Sequence, residues 1–109
     1  MSSLGPLELI VLITVAKLGD DAYGLGVRRA VSEHAGRDYS VGAIYTTLQR
    51  LEEKKLLTSR ETEPLPIRGG RSRRQFKITA AGRRAIEDAR LRTATLWQGF
   101  NPAPPSRPA

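Results

Sequence analysis

Arg68, Arg71, Arg73 and Arg74 place four positive charges within seven residues, with no acid among them. A guanidinium stays charged at every physiological pH and presents a planar fork of N–H donors that fits phosphate oxygens. Gly69 and Gly70 lie inside the cluster and let the backbone come close to a phosphate strand. The same fork can enter a narrow minor groove. The chemistry on offer is recognition of a polyanion, with no bond made or broken. Seen alone, such a cluster also reads as a solvated basic loop. The elements around it decide between the two readings.

The stretch from Tyr39 to Leu57 reads as one amphipathic helix. Val41, Ile44, Leu48 and Leu51 recur at the three-and-four spacing of a single helical stripe. Ser40 stands just before the stripe and is placed to cap the first turn through its hydroxyl. The other face carries Ala43, Thr46, Thr47, Arg50 and Lys54. Its first turns are small and uncharged, so the helix tip can enter a narrow, negatively charged groove. An ordinary surface helix would show the same stripe.

The remaining elements follow in order. Pro6 suits the first position of a helix over Leu7 to Leu18. That helix is apolar nearly all round, so part of it is expected to face a second subunit. Its β-branched run also fits a buried strand; its length favours helix. Gly19-Asp20-Asp21 reads as a turn supplying an acidic cap to a second helix, Ala22 to Ala35. Val27, Ala30, Val31 and His34 form that helix's stripe, and Gly36 ends it. Two helices joined by a short Gly-containing turn read as helix-turn-helix. Thr58 to Glu63 reads as an exposed strand, and Pro64 to Arg73 as a loop. Arg74 to Ile78 alternates polar and apolar as a half-buried strand does. The two strands make a hairpin whose loop holds the arginines. Thr79 caps a last helix, Ala80 to Gln98, with its stripe at Ile86, Ala89, Thr93, Leu96, Trp97 and Phe100.

Composition narrows the function classes. The chain has 109 residues, with 18 Lys and Arg against 11 Asp and Glu, a net charge of +7 that suits a polyanionic partner. Cysteine is absent and His34 is the lone histidine, which argues against a zinc site and a disulfide framework and for a cytoplasmic setting. No cysteine nucleophile, metal cluster or glycine loop opening a helix is present, so an enzyme is not expected. The longest apolar run, Leu9 to Ile13, is too short to cross a bilayer. The start Met-Ser-Ser-Leu-Gly-Pro has no basic region, so no signal peptide is expected. Four prolines among Asn101 to Ala109 predict an extended, disordered tail.

The fold expected is mainly α with a small β-hairpin, a winged helix-turn-helix over 1–79. A C-terminal dimerisation helix over 80–100 and the Pro-rich tail over 101–109 complete the chain. Three motifs then carry a family resemblance: Ala-Tyr-Gly-Leu-Gly-Val at 22–27, Gly-Ala-Ile-Tyr-Thr-Thr-Leu-Gln-Arg-Leu-Glu at 42–52, and Gly-Gly-Arg-Ser-Arg-Arg-Gln-Phe-Lys-Ile-Thr-Ala-Ala-Gly at 69–82. In this order, over roughly Leu4 to Ala89, the chain resembles the PadR-type transcriptional regulators, winged-helix proteins that are usually repressors.

The resemblance implies a homodimer on palindromic double-stranded operator DNA, released in some members by a small aromatic effector. It puts Ser40 to Thr47 at base edges, with Tyr45 touching the sugar-phosphate backbone through its hydroxyl. Ser40, Ala43, Tyr45, Thr46, Thr47, Arg50, Arg68, Arg71, Arg73 and Arg74 are the expected DNA contacts. Leu7, Ile10, Val11, Ile86, Thr93, Leu96 and Trp97 are the expected dimer contacts. Trp97 and Phe100 are the candidates to line an effector pocket. The Tyr23-Gly24 pair is expected to pack the helix-turn-helix, with Gly24 admitting a close neighbour.

The chain departs from the family pattern at three positions. Thr46 stands where proline is frequent, Lys55 where glycine is frequent, and Phe76 where tyrosine is frequent. The alternative in a different class is a winged helix used for protein–protein contact, which usually lacks a basic wing. RNA binding is disfavoured because the strands lack paired aromatics for stacking bases.

Overall fold

The computed structural model describes residues 4–62 and 73–100. The expectations for Arg68 and Arg71, for the loop tip and for the Pro-rich tail lie outside the described residues. Helix α1 spans Pro6–Leu18, a 3₁₀ turn Gly19–Asp21, α2 Gly24–Ala35 and α3 Val41–Glu53. Strands β1, Leu57–Thr62, and β2, Arg73–Ile78, precede α4, Ala80–Trp97. The strands pair antiparallel from Leu57 with Ile78 to Thr62 with Arg73. This is the winged-helix order, mainly α with one hairpin.

Local chemistry explains most boundaries. Ser40 Oγ accepts from the Ala43 N–H at 3.0 Å and caps α3. Thr79 Oγ1 accepts from the Gly82 N–H at 3.0 Å and caps α4. Gly36 ends α2 in the left-handed region at φ 69°. Two boundaries differ from the sequence reading. No acid caps α2: Tyr23 is its N-cap residue and makes no side-chain cap bond. Helix α3 stops at Glu53 rather than running on to Leu57. Lys55 takes φ 63° just after it, and Leu57 turns inward as the first residue of β1.

One core forms where α1, α2, α3 and the hairpin meet. Val11, Leu12 and Val15 of α1 are buried with Val27 and Val31 of α2, Ile44, Leu48 and Leu51 of α3, and Leu57 and Phe76 of the strands. Val11 is therefore not available to a second subunit; its side chain is fully buried within its own chain. Val41 also moves: it is 43% exposed at the start of α3, and Thr47 takes the inward position instead. Beside the core, Phe76 N donates to the Ala22 carbonyl at 2.8 Å, and Tyr23 bridges Gln75 in antiparallel fashion. The residues just before α2 thus act as a one-residue third strand along β2.

A second junction ties α3 to α4. Thr79 Oγ1 donates to the Lys55 carbonyl at 2.8 Å, and Thr79 N donates to the Leu56 carbonyl at 3.1 Å. The first turn of α4 therefore rests on the turn that ends α3. Ala85 and Ile86 of α4 lean on the core and Ala89 is buried, whereas every residue from Arg90 to Phe100 is exposed.

Candidate nucleic-acid interface

The outward face of α3 begins with Val41 and Gly42 and continues through Tyr45, Thr46 and Gln49, all exposed; Ala43 is half-buried. It is uncharged over its first two turns and, Tyr45 apart, carries no large aromatic, which suits a groove-entering tip. Thr47 does not belong to it. That side chain is 7% exposed, and its hydroxyl donates to the Ala43 carbonyl at 2.7 Å. A hydroxyl spent on its own helix, facing the core, has no reach to a base edge. Thr46, next to it, is exposed and open to a partner.

Tyr45 lies across the start of α2. A Cβ on Gly24 would clash with its hydroxyl and would stand 2.5 Å from its Cζ. Glycine at 24 leaves the phenol ring the space that a side chain would use. Arg73 meets the adjacent residue: its guanidinium carbon stands 4.0 Å from the centre of the Tyr23 ring. Arg73 Nε is buried there with no acceptor among the described residues. Two successive residues, Tyr23 and Gly24, thus contact Arg73 of the hairpin and Tyr45 of α3 respectively.

Arg73 and Arg74 do not act alike. Neighbours along a strand point to opposite faces. While Arg73 stacks on Tyr23, Arg74 Nη1 donates to Ser59 Oγ at 2.9 Å and Arg74 Nη2 stands 3.7 Å from Glu61 Oε1. The Arg74 side chain remains 47% exposed and its Glu61 partner 70% exposed. A pair at that distance in open solvent is weak and leaves the cation available. Across the other face of the hairpin, Arg60 Nε donates to Gln75 Oε1 at 3.0 Å and Gln75 Nε2 donates to the Asp20 carbonyl at 2.6 Å. Those bonds fix the hairpin against the 3₁₀ turn.

The far end of α3 is engaged inside the molecule. Lys54 Nζ contacts Glu8 Oε1 at 3.0 Å and Oε2 at 2.9 Å. Lys54 is therefore not part of an outward face, as its helical position had suggested. Glu8 also accepts from the Gly5 N–H at 2.8 Å. Burial pushes the Glu8 carboxyl up. The Gly5 N–H, the Lys54 ammonium and the charge of Arg50 outweigh it and hold the group below its ordinary value. Arg50 is exposed, yet it lies at this end of α3, near Glu8, and not at the groove-entering tip.

Two features went unread in the sequence. Arg28 Nε donates to the Tyr39 carbonyl at 2.8 Å and Arg37 lies 4.8 Å over the Tyr39 ring, so the turn before α3 is braced by cations. The Glu8–Lys54 pair links residues 46 apart. No local pattern announces either.

At the end of α4, Leu91, Leu96, Trp97 and Phe100 are exposed at 53%, 76%, 53% and 60%. The Trp97 and Phe100 rings stand 5.7 Å apart. Leu7, Ile10 and Ile86 are half-buried, and Thr93 is exposed with its hydroxyl bonded to the Ala89 carbonyl. No described helix is long and apolar enough to cross a membrane. Among the described residues no group of three or more His, Cys, Asp or Glu could hold a metal ion.

Known proteins share this fold. The model of the transcriptional regulator PadR-like family matches residues 11–88. Transcriptional regulator Rv3488 of Mycobacterium tuberculosis (strain ATCC 25618 / H37Rv) is 35% identical over 71 residues, which cover 65% of this chain and 62% of that protein. The chain therefore spans less than two thirds of that relative's length. A PadR-like transcription factor from Bacteroides fragilis superimposes with a TM-score of 0.72 at 22% identity, covering 84% of each chain. A Streptococcus transcriptional regulator gives a TM-score of 0.67 at 28% identity, over 84% of this chain and 85% of that one.

Proposed function

This chain belongs to the PadR-like family of transcriptional regulators, and from that premise we propose that it binds double-stranded DNA sequence-specifically, as a homodimer. Members of the family are regulators rather than enzymes. The observation that supports the reading is the Tyr23-Gly24 step, where Arg73 of the hairpin stacks on Tyr23 and Tyr45 of α3 lies against Gly24. A helix tip and a basic hairpin on the same side can meet the major groove and the neighbouring backbone together.

In this reading Thr46 and the exposed first turns of α3 read base edges. Tyr45, Arg73, Arg74 and the loop arginines Arg68 and Arg71 meet phosphates and fix the register. The apolar end of α4, with Leu7, Ile10 and Ile86, supplies the dimer contact. Burying Leu96, Trp97 and Phe100 against a second copy removes an apolar surface that a monomer would leave in water. The twofold pair then sets two α3 helices roughly 34 Å apart, one turn of DNA, on a palindromic operator. The expected role is repression, in the cytoplasm, relieved by a small aromatic effector held near Trp97 and Phe100.

A mobility-shift assay at moderate salt, with the DNA flanking the protein's own gene, tests the reading. A shifted, saturable complex at a palindromic site supports it. No complex with any genomic fragment favours a protein–protein module instead.

A further inference from the structure

Tyr23 looks at first like packing. It is half-buried, it precedes α2 as an N-cap residue without a cap bond, and its backbone bridges Gln75. Its ring, though, is not spent on the core. It is spent on Arg73, whose guanidinium carbon lies 4.0 Å from the ring centre. Arg73 leads β2, where the hairpin leaves the body of the domain. An arginine there would normally sweep a wide cone, and ordering it on a partner costs the entropy of several torsions. Stacking on Tyr23 removes that freedom before any partner arrives.

The geometry of the stack also leaves the arginine chemically unfinished. A ring face satisfies the charge of a guanidinium but accepts no N–H in its plane. Arg73 Nε is buried and finds no acceptor among the described residues. The terminal in-plane N–H groups of a guanidinium stacked in this way do not point into the ring and suit an anionic oxygen. Tyr45, the other aromatic at this step, lies across the adjacent Gly24.

We propose that Tyr23 is a positioning residue for DNA binding: it holds Arg73 flat and preordered so that the guanidinium meets a backbone phosphate beside Tyr45. This rests on the DNA-binding reading above and adds to it a residue whose sequence role was packing alone. Tyr23 itself touches no DNA. Its contribution reaches the duplex through Arg73, so the two residues must act as one unit.

The test is a double-variant cycle read by fluorescence anisotropy with a labelled random-sequence duplex over a salt series. A random duplex suffices because a phosphate contact is indifferent to sequence. Arg73→Ala removes two phosphate contacts per dimer, so binding at low salt should weaken roughly tenfold and the log–log salt slope should become about 1.8 less negative. Tyr23→Leu should produce nearly the same loss and the same change of slope, and Tyr23→Phe should restore both. The double variant should bind no worse than Arg73→Ala alone. Arg73→Lys, which keeps the charge and loses the planar stack, should still fall several-fold below the unaltered protein. That arm decides the matter if Tyr23→Leu fails to fold. Losses that simply add, a Tyr23→Leu slope equal to that of the unaltered protein, or full binding by Arg73→Lys would each overturn the proposal. No salt-sensitive binding by the unaltered protein would overturn the DNA reading itself, and this inference with it.

Discussion

The phenol ring of Tyr45 occupies the space that a side chain on Gly24 would need: a Cβ there would lie 2.5 Å from Tyr45 Cζ. The contact joins the exposed face of α3 to the first residue of α2. It makes Gly24 a determinant of where Tyr45 sits. Tyr45 is 40% exposed, so the ring has solvent to move into. Gly24→Ala should therefore cost less than about 1 kcal/mol of stability while weakening DNA binding several-fold. In a Tyr45→Ala background the same substitution should cost no further affinity. Thermal melts and binding curves on the four proteins check both halves. A Gly24→Ala protein that binds as well as the unaltered one would show that the ring position is immaterial.

Lys55 is the non-glycine residue with positive φ among the described residues, at 63°. Its carbonyl accepts from Thr79, and its N–H donates to the Glu52 carbonyl at 2.9 Å. The left-handed conformation costs a residue with a Cβ roughly 1–2 kcal/mol, part of which glycine returns as extra freedom when unfolded. Lys55→Gly should raise stability by about 0.5–1 kcal/mol in chemical denaturation, and Lys55→Val should lower it. Loss of stability in Lys55→Gly would mean that the lysine side chain makes a contact worth more than the strain.

Glu8 ties the start of α1 to the end of α3 through Lys54, and its carboxyl is held below its ordinary value. The sign follows from linkage: the folded form has the lower pKa, so the unfolded chain binds the proton first. The stabilisation is present above the unfolded value, near 4.5, and is lost as pH falls through the folded value. Glu8→Gln should cost on the order of 1–2 kcal/mol at neutral pH, because it leaves the half-buried Lys54 ammonium without its charge partner. The difference between the two proteins should shrink as pH drops below about 4. Urea unfolding across a pH series measures it. A gap that stayed constant down to that acidity would show that the pair carries no net charge-dependent stability.

Leu96 and Trp97 are exposed at 76% and 53% at the end of α4, so neither is needed by the fold of one chain. Leu96→Asp with Trp97→Asp should leave the melting behaviour of the monomer fold intact and shift the species in sedimentation from dimer to monomer. A charged pair placed in an apolar seam costs several kcal/mol. An unchanged dimer would locate the contact elsewhere, and Leu7 and Ile10 of α1 would be the next pair to change.

Much of this was legible along the chain because the signals were local. The Ser40 and Thr79 caps, the glycine stop at Gly36 and the inward Ile44, Leu48 and Leu51 of α3 are each read within a few residues, and each appears where the pattern places it. The family pattern puts glycine where Lys55 stands, and Lys55 takes the left-handed φ of 63° that glycine accepts more easily. What failed was the choice of face. Periodicity alone placed Val41 inward and Thr47 outward, yet the first turn of α3 projects beyond the core and Thr47 can satisfy its hydroxyl on its own helix. Val11 was assigned to the dimer because α1 is apolar all round; α1 packs against every other helix of the chain, which buries that position. The Tyr23–Arg73 stack and the Glu8–Lys54 pair join residues distant in sequence, so only the fold brings them together.

The central claim is that a basic hairpin and a small-residue helix tip grip a duplex together. The most direct measurement is the salt dependence of DNA binding by the unaltered protein and by a variant with alanine at Arg68, Arg71, Arg73 and Arg74. With about four phosphate contacts per subunit and about eight per dimer, the unaltered protein should show a log–log slope on the order of −7. The variant should bind all DNA more weakly and give a much flatter slope. The same slope for both proteins would contradict the account.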